Sequence, residues 1–172
     1  VAHQIMEAVG NGCRLDELVN SDMSEISQRL RLSAVETAEI RKVLESLHLL
    51  KDNPLVKEME SALESRNEYQ IIRPLGKYIL SGRPDKVIKT PEGWKILDFK
   101  YSGSDRHSDS YEFQTKFYLY IAREIFSPML GAELFYLKDG VSRKVQLDDE
   151  EVRDFEEDLF RRIEGYQEAI KQ

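Results

Sequence analysis

Hydrophobic and polar positions change their period twice along this 172-residue chain. Up to about residue 66 the apolar residues recur at helical spacing. Ser33-x-x-Glu36 reads as a capping box that opens a helix through about Leu47, and Pro54 as the start of another that ends near Arg66. The period then shortens to two, predicting strands at about 68–73, 77–89 and 93–101, with turns at Gly76 and Gly93. A helical stripe of Phe113, Phe117, Tyr120, Ile121 and Ile125 returns over 110–126. The run AELFYLKDGVSRKVQL, 132–147, predicts two more strands around Asp139-Gly140, and a last helix is expected from about Asp149. This order predicts one α/β domain. It has a helical N-terminal portion (1–66), a sheet-and-helix core (67–146) and a C-terminal helix (147–172), with no internal repeat or low-complexity linker.

The candidate chemistry lies in the string GRPDKVIKTPEGWKILDFK, 82–100. Asp98 and Lys100 are two apart, so in a strand their side chains leave the same face. Asp85 stands thirteen positions earlier across a turn marked by Thr90, Pro91, Glu92 and Gly93, and antiparallel pairing brings it beside Asp98. An Asp-x-Lys pair is often just a solvated polar face. Here Ile96, Leu97 and Phe99 interleave with it, so the charges must be paired or bind something. Two acidic oxygen donors beside one cation suit a hard divalent metal with a phosphate nearby.

Pro84-Asp85, twelve intervening residues and Asp98-Phe99-Lys100 resemble the PD-(D/E)xK nuclease signature, which implies a restriction-endonuclease-like mixed central sheet flanked by helices. Three more segments resemble its RecB/AddA branch, the C-terminal nuclease domain of helicase-nucleases. Val1 to Glu7 resembles that branch's helix with a metal-binding histidine, here His3. Asn67-Glu68-Tyr69 resembles its acidic strand. Gln114 to Tyr118 resembles its Gln-x-x-x-Tyr helix, Gln114 and Tyr118 being one turn apart on one face. The resemblance implies a Mg²⁺ or Mn²⁺ ion held by His3, Asp85 and Asp98 with the Phe99 carbonyl. It makes Asp85, Asp98 and Lys100 catalytic, and Glu68, Gln114 and Tyr118 supporting or DNA-contacting. His48 and His107 are not expected to be ligands. The implied activity is an exonuclease on single-stranded DNA from linked helicase domains, with or without a second subunit, in double-strand break repair and recombination. The alternatives are a nuclease-like module that binds DNA ends or a partner without catalysis, and a freestanding exonuclease.

Composition narrows the cofactors. A lone Cys13 excludes both a disulfide framework and a four-cysteine iron-sulfur cluster within the chain. No apolar run approaches the length needed to span a bilayer and no signal peptide precedes Val1, so a cytoplasmic protein without membrane contact is expected. Val1-Ala2-His3 enters in mid-helix without an initiator Met, which predicts a domain cut from a longer helicase-nuclease. The net charge of −7 is unevenly spread: residues 66–145 carry 14 Lys and Arg against 10 Asp and Glu, the two flanks 11 against 22. The candidate core is thus the basic part. The tail DDEEVRDFEEDLF reads as a solvated helix face.

Overall fold

Five helices open the chain in the computed structural model, which describes residues 1–31 and 33–170, the side chains of 34–38 and 170 excepted. They are α1 (Ala2–Ala8), α2 (Leu15–Asn20), α3 (Met23–Arg29), α4 (Ala34–His48) and α5 (Pro54–Glu60). There follow β1 (Glu64–Asn67), β2 (Ile71–Leu75), β3 (Tyr78–Gly82), β4 (Lys86–Lys89) and β5 (Trp94–Lys100). The chain ends with α6 (Asp109–Ala122), β6 (Met129–Tyr136), β7 (Ser142–Val145) and α7 (Asp149–Ile170). Helix α4 starts right after Ser33, as a cap there predicts, but the Glu36 side chain of that capping box lies outside the described residues. Asn53 caps α5 by accepting from the Leu55 N–H at 2.9 Å, and Pro54 fills its first turn.

Three expectations need correction. Helix α5 stops at Glu60 rather than near Arg66, because Glu64–Asn67 forms an edge strand against β4. All four of its residues are polar, so no alternation marked it. The single strand expected at 77–89 is two strands: Pro84 has no N–H to offer a ladder, and the chain changes sheets there. β2 and β3 pair in a sheet of their own, whereas β4 enters a five-stranded sheet ordered β1-β4-β5-β6-β7. In that sheet β5 and β6 run parallel across the α6 crossover and the other neighbours are antiparallel. The strands that follow Asp85 and carry Asp98 therefore form a β4-β5 hairpin inside a mixed sheet. Helix α6 also ends at Ala122, leaving Ile125 half-exposed beyond it.

Helices cover both faces of this sheet. Ile88, Leu97, Phe99, Phe135 and Leu137 join one core with residues of α1 to α5. Val87, Trp94, Ile96, Leu134 and Tyr136 join a second core with α6, α7 and the β2-β3 hairpin. Each fully buried side chain of this kind contributes about 1.5–3 kcal/mol, so the alternation fixes the register of β5. It sends Leu97 and Phe99 to the N-terminal helices and Asp98 and Lys100 to the α6 side. Gly82 allows a close approach: a Cβ there would lie 2.7 Å from Ile121 Cδ1 and 3.1 Å from the Tyr118 ring. The end of β3 presses onto α6 through it and delivers Arg83-Pro84-Asp85 to the sheet. No helix among the described residues is long and apolar enough to cross a membrane.

Candidate active site

The β4-β5 ladder runs out at the pair Lys86↔Leu97. Past it, the backbone of Phe99 faces an edge with no strand opposite, and buried amides and carbonyls need partners. Side chains supply them. Oδ2 of Asp85 accepts the Phe99 N–H at 2.7 Å, and Nε2 of His3 lies 2.8 Å from the Phe99 carbonyl oxygen. The same His3 nitrogen is 3.9 Å from Asp85 Oδ2. Helix α1 thus brings His3 to Phe99 from 96 positions away in sequence and sets it beside Asp85, with its ring edge-on to Phe99.

Asp98 points to the α6 side and its side chain is only 4% exposed. Lys100 Nζ stands 2.6 Å from its Oδ2, a charge-assisted contact that pairs the buried carboxylate. Lys100 also donates to Gln114 Oε1 at 3.3 Å, and Gln114 Nε2 donates to the Tyr118 hydroxyl at 3.1 Å. Beneath the ammonium lies the Tyr111 ring, 4.6 Å away. Tyr111 sits one turn before Gln114, a spacing that could have marked it in the sequence. Tyr118 is buried rather than bordering the core.

The electrostatics follow from burial and crowding of like charge. Desolvation, then the Asp98 carboxylate, push Asp85 up to about 6 against the opposing pull of the Phe99 N–H, His3 and Lys100. Burial raises Asp98 as well, with Lys100 opposing. The Tyr118 phenol is pushed up to about 12 by burial and then by Asp98 and Asp85, so it stays protonated at any ordinary pH. Glu7, one turn beyond His3 on α1, is raised by burial, Glu68 and Asp85. That Glu7 faces the site was missed in the sequence, although the i,i+4 spacing from His3 announces it.

Glu68 is placed differently from the strand position its neighbours imply. It sits in a turn just past β1 with φ +49°, its N–H donating to the Asp85 carbonyl at 2.9 Å and its carboxylate paired with Arg83 at 3.1 Å. Its backbone therefore holds Asp85, and its charge faces Arg83. His107 is held by the Tyr136 hydroxyl at 2.7 Å.

The donor set fits a hard divalent cation. It comprises two buried carboxylates that repel each other, a carbonyl freed from its ladder and an imidazole. Among the described residues no three His, Cys, Asp or Glu side chains come together as a group that could hold a metal ion, so His3, Asp85 and Asp98 do not form a three-side-chain cage by themselves. A cleft of about 390 Å³ lined by Arg123 and Gln146 lies elsewhere on the molecule.

A family model described as the PD-(D/E)XK nuclease superfamily matches residues 1–171. No curated protein matches. A crystal structure of SSO0001 is similar at 13% identity and a TM-score of 0.40, covering 85% of this chain and 73% of that one, a likeness that carries no inference about activity.

Proposed function

Since this chain belongs to the PD-(D/E)XK nuclease superfamily, whose members generally use divalent metal ions and act on DNA, we propose that it is a Mg²⁺- or Mn²⁺-dependent deoxyribonuclease. Asp85, Asp98, His3 and the Phe99 carbonyl would hold the ion, and Lys100 would be the catalytic cation. The observation that carries this reading is the convergence of His3 and Asp85 on the two backbone groups of Phe99, 2.8 and 2.7 Å away. A bound ion would supply a more acidic water and neutralise phosphate charge. Lys100 then faces the place where negative charge develops on a phosphate oxygen, held there by Asp98, Gln114 and the Tyr111 ring. Tyr118, kept protonated by burial, fixes the Gln114 amide so that its oxygen faces Lys100. Water is the nucleophile, and no covalent intermediate forms on the protein.

In finer detail, the resemblance of the His3 helix and of Gln114-x-x-x-Tyr118 to the RecB/AddA branch supports an exonuclease. It would act on single strands delivered by linked helicase domains during break repair and recombination. Asp85→Asn or Asp98→Asn is expected to reduce cleavage of linear single-stranded DNA in Mg²⁺ to background while leaving the circular dichroism spectrum unchanged. Wild-type cleavage by either variant would refute the metal-site assignment.

A further inference from the structure

A buried ammonium stands behind the metal-site residues. Lys86 follows Asp85 at the start of β4 and is fully buried. Its Nζ donates to the carbonyls of Glu7 at 2.7 Å and Val9 at 2.8 Å, and to the side-chain oxygens of Ser65 at 3.0 Å and Asn67 at 2.7 Å. An ammonium has three N–H donors, so four acceptors leave none spare. The first two acceptors lie at the C-terminal end of α1, where carbonyls lack intrahelical partners and a cation is favoured. The other two belong to β1. One side chain therefore clamps the helix that carries His3 to β1 and to the start of β4, which directly follows Asp85.

The clamp supplies something apolar packing cannot. Helix α1 has seven residues, too few to be stable by itself, and it buries Ala2, Ile5 and Met6. That burial is non-directional and does not by itself set the helix's position along its axis. A slide of one residue moves a helical side chain by about 1.5 Å, enough to take His3 Nε2 off the Phe99 carbonyl. Gly10 serves the same junction, since a Cβ there, at φ +99°, would meet the Met59 carbonyl oxygen at 3.0 Å and Ser65 Oγ at 3.4 Å.

We propose that Lys86 is a positioning residue for the metal centre: its hydrogen bonds lock the end of α1 to β1 and β4 and so set His3 against Phe99 and Asp85. The proposal rests on the reading of His3 as a metal ligand, and the experiment separates the two. Mn²⁺ is bound to the protein labelled with ¹⁵N-histidine, pulsed electron paramagnetic resonance reads nitrogen bound directly to the ion, and calorimetry reads affinity. The wild type should show the nitrogen coupling and His3→Ala should not; its absence from the wild type removes His3 from the site and the proposal with it. Lys86→Met should still bind Mn²⁺ through the carboxylates, with the coupling lost and the affinity reduced about tenfold, as for other outer-shell partners of metal ligands. Combined with His3→Ala, the same substitution should weaken binding less than about twofold further, because its effect is exerted through His3. Lys86→Arg, which keeps a cation with several donors, should restore the coupling. If the wild type shows the coupling and Lys86→Met keeps both coupling and affinity while only its melting temperature falls, Lys86 is merely structural. Additive losses in the double variant would overturn the proposal equally. Should Lys86→Met not fold, Lys86→Gln, which keeps a donor too short to bridge helix and strand, is held to the same outcomes.

Discussion

At the scale of residues, the crowding of Asp85 and Asp98 is a cost that the fold carries and that a proton or an ion relieves. Asp85 is raised from 3.8 to about 6, so the folded chain binds a proton more tightly than the unfolded one between those values. Its stabilising contribution is present in acid and lost as pH rises through about 6, with Asp98, His3, Lys100 and Glu7 the charged groups around it. The metal-free protein should gain about 1 kcal/mol from this group on going from pH 7.5 to 5, visible in urea denaturation and absent in Asp85→Asn. Saturating Mn²⁺ at pH 7.5 should raise the melting temperature of the wild type, and chelation should reverse it. Lys100→Ala should keep metal affinity, since Lys is no ligand and its departure frees Asp98 Oδ2, yet lower kcat about 100-fold. A loss of Mn²⁺ affinity as large as that of Asp98→Asn would make Lys100 a structural ion pair instead. The triad Asp85, Asp98 and Lys100 was legible because period two and a marked turn place it. Lys86 was not, because nothing local distinguishes a buried lysine from a solvated one.

At the scale of elements, helix α6 supports the site and α7 supports α6. Phe155 of α7 is buried with its ring 5.3 Å from Phe113 and 5.7 Å from Tyr120, both on α6. The Tyr120 hydroxyl donates to Glu156 of α7, and Arg73 of β2 binds the Tyr120 carbonyl. Phe155→Ala should destabilise the domain by about 3 kcal/mol in denaturant titration. Because the proposed metal ligands lie on α1, just before β4 and on β5, Mn²⁺ affinity of the remaining folded protein should not change. Gly82→Val should also destabilise it, by driving a side chain into Ile121 and Tyr118. The α6 and α7 patterns were readable since each buries a stripe of large apolar residues. The edge strand β1 and the break at Pro84 were misread because polar edge strands carry no alternation and a proline's effect depends on which neighbour needs its N–H.

At the scale of the molecule, the acidic flanks set how the domain meets a polyanion. With −7 overall and +4 over residues 66–145, the domain should bind single-stranded DNA weakly without divalent ions. Fluorescence anisotropy should show affinity falling only shallowly with salt, since few phosphates are neutralised. A slope as steep as that of a protein making six or more phosphate contacts would contradict this. Added Ca²⁺ should strengthen binding without cleavage if the carboxylate pair is where phosphate docks.

The amino-acid sequence by itself determined the α/β order, the hairpin that sets Asp85 across from Asp98, and the shared face of Asp98 and Lys100, because strand period and turn residues act over neighbours a few positions apart. It also placed Gln114 and Tyr118 one turn apart. Only the tertiary structure decided that Glu68 turns its charge to Arg83 and gives Asp85 its N–H, that Phe99 loses its ladder partner, and that Lys86 fastens α1. Those are contacts between segments up to 79 residues apart. Their geometry is set by how two cores pack on one sheet, and no local pattern encodes it.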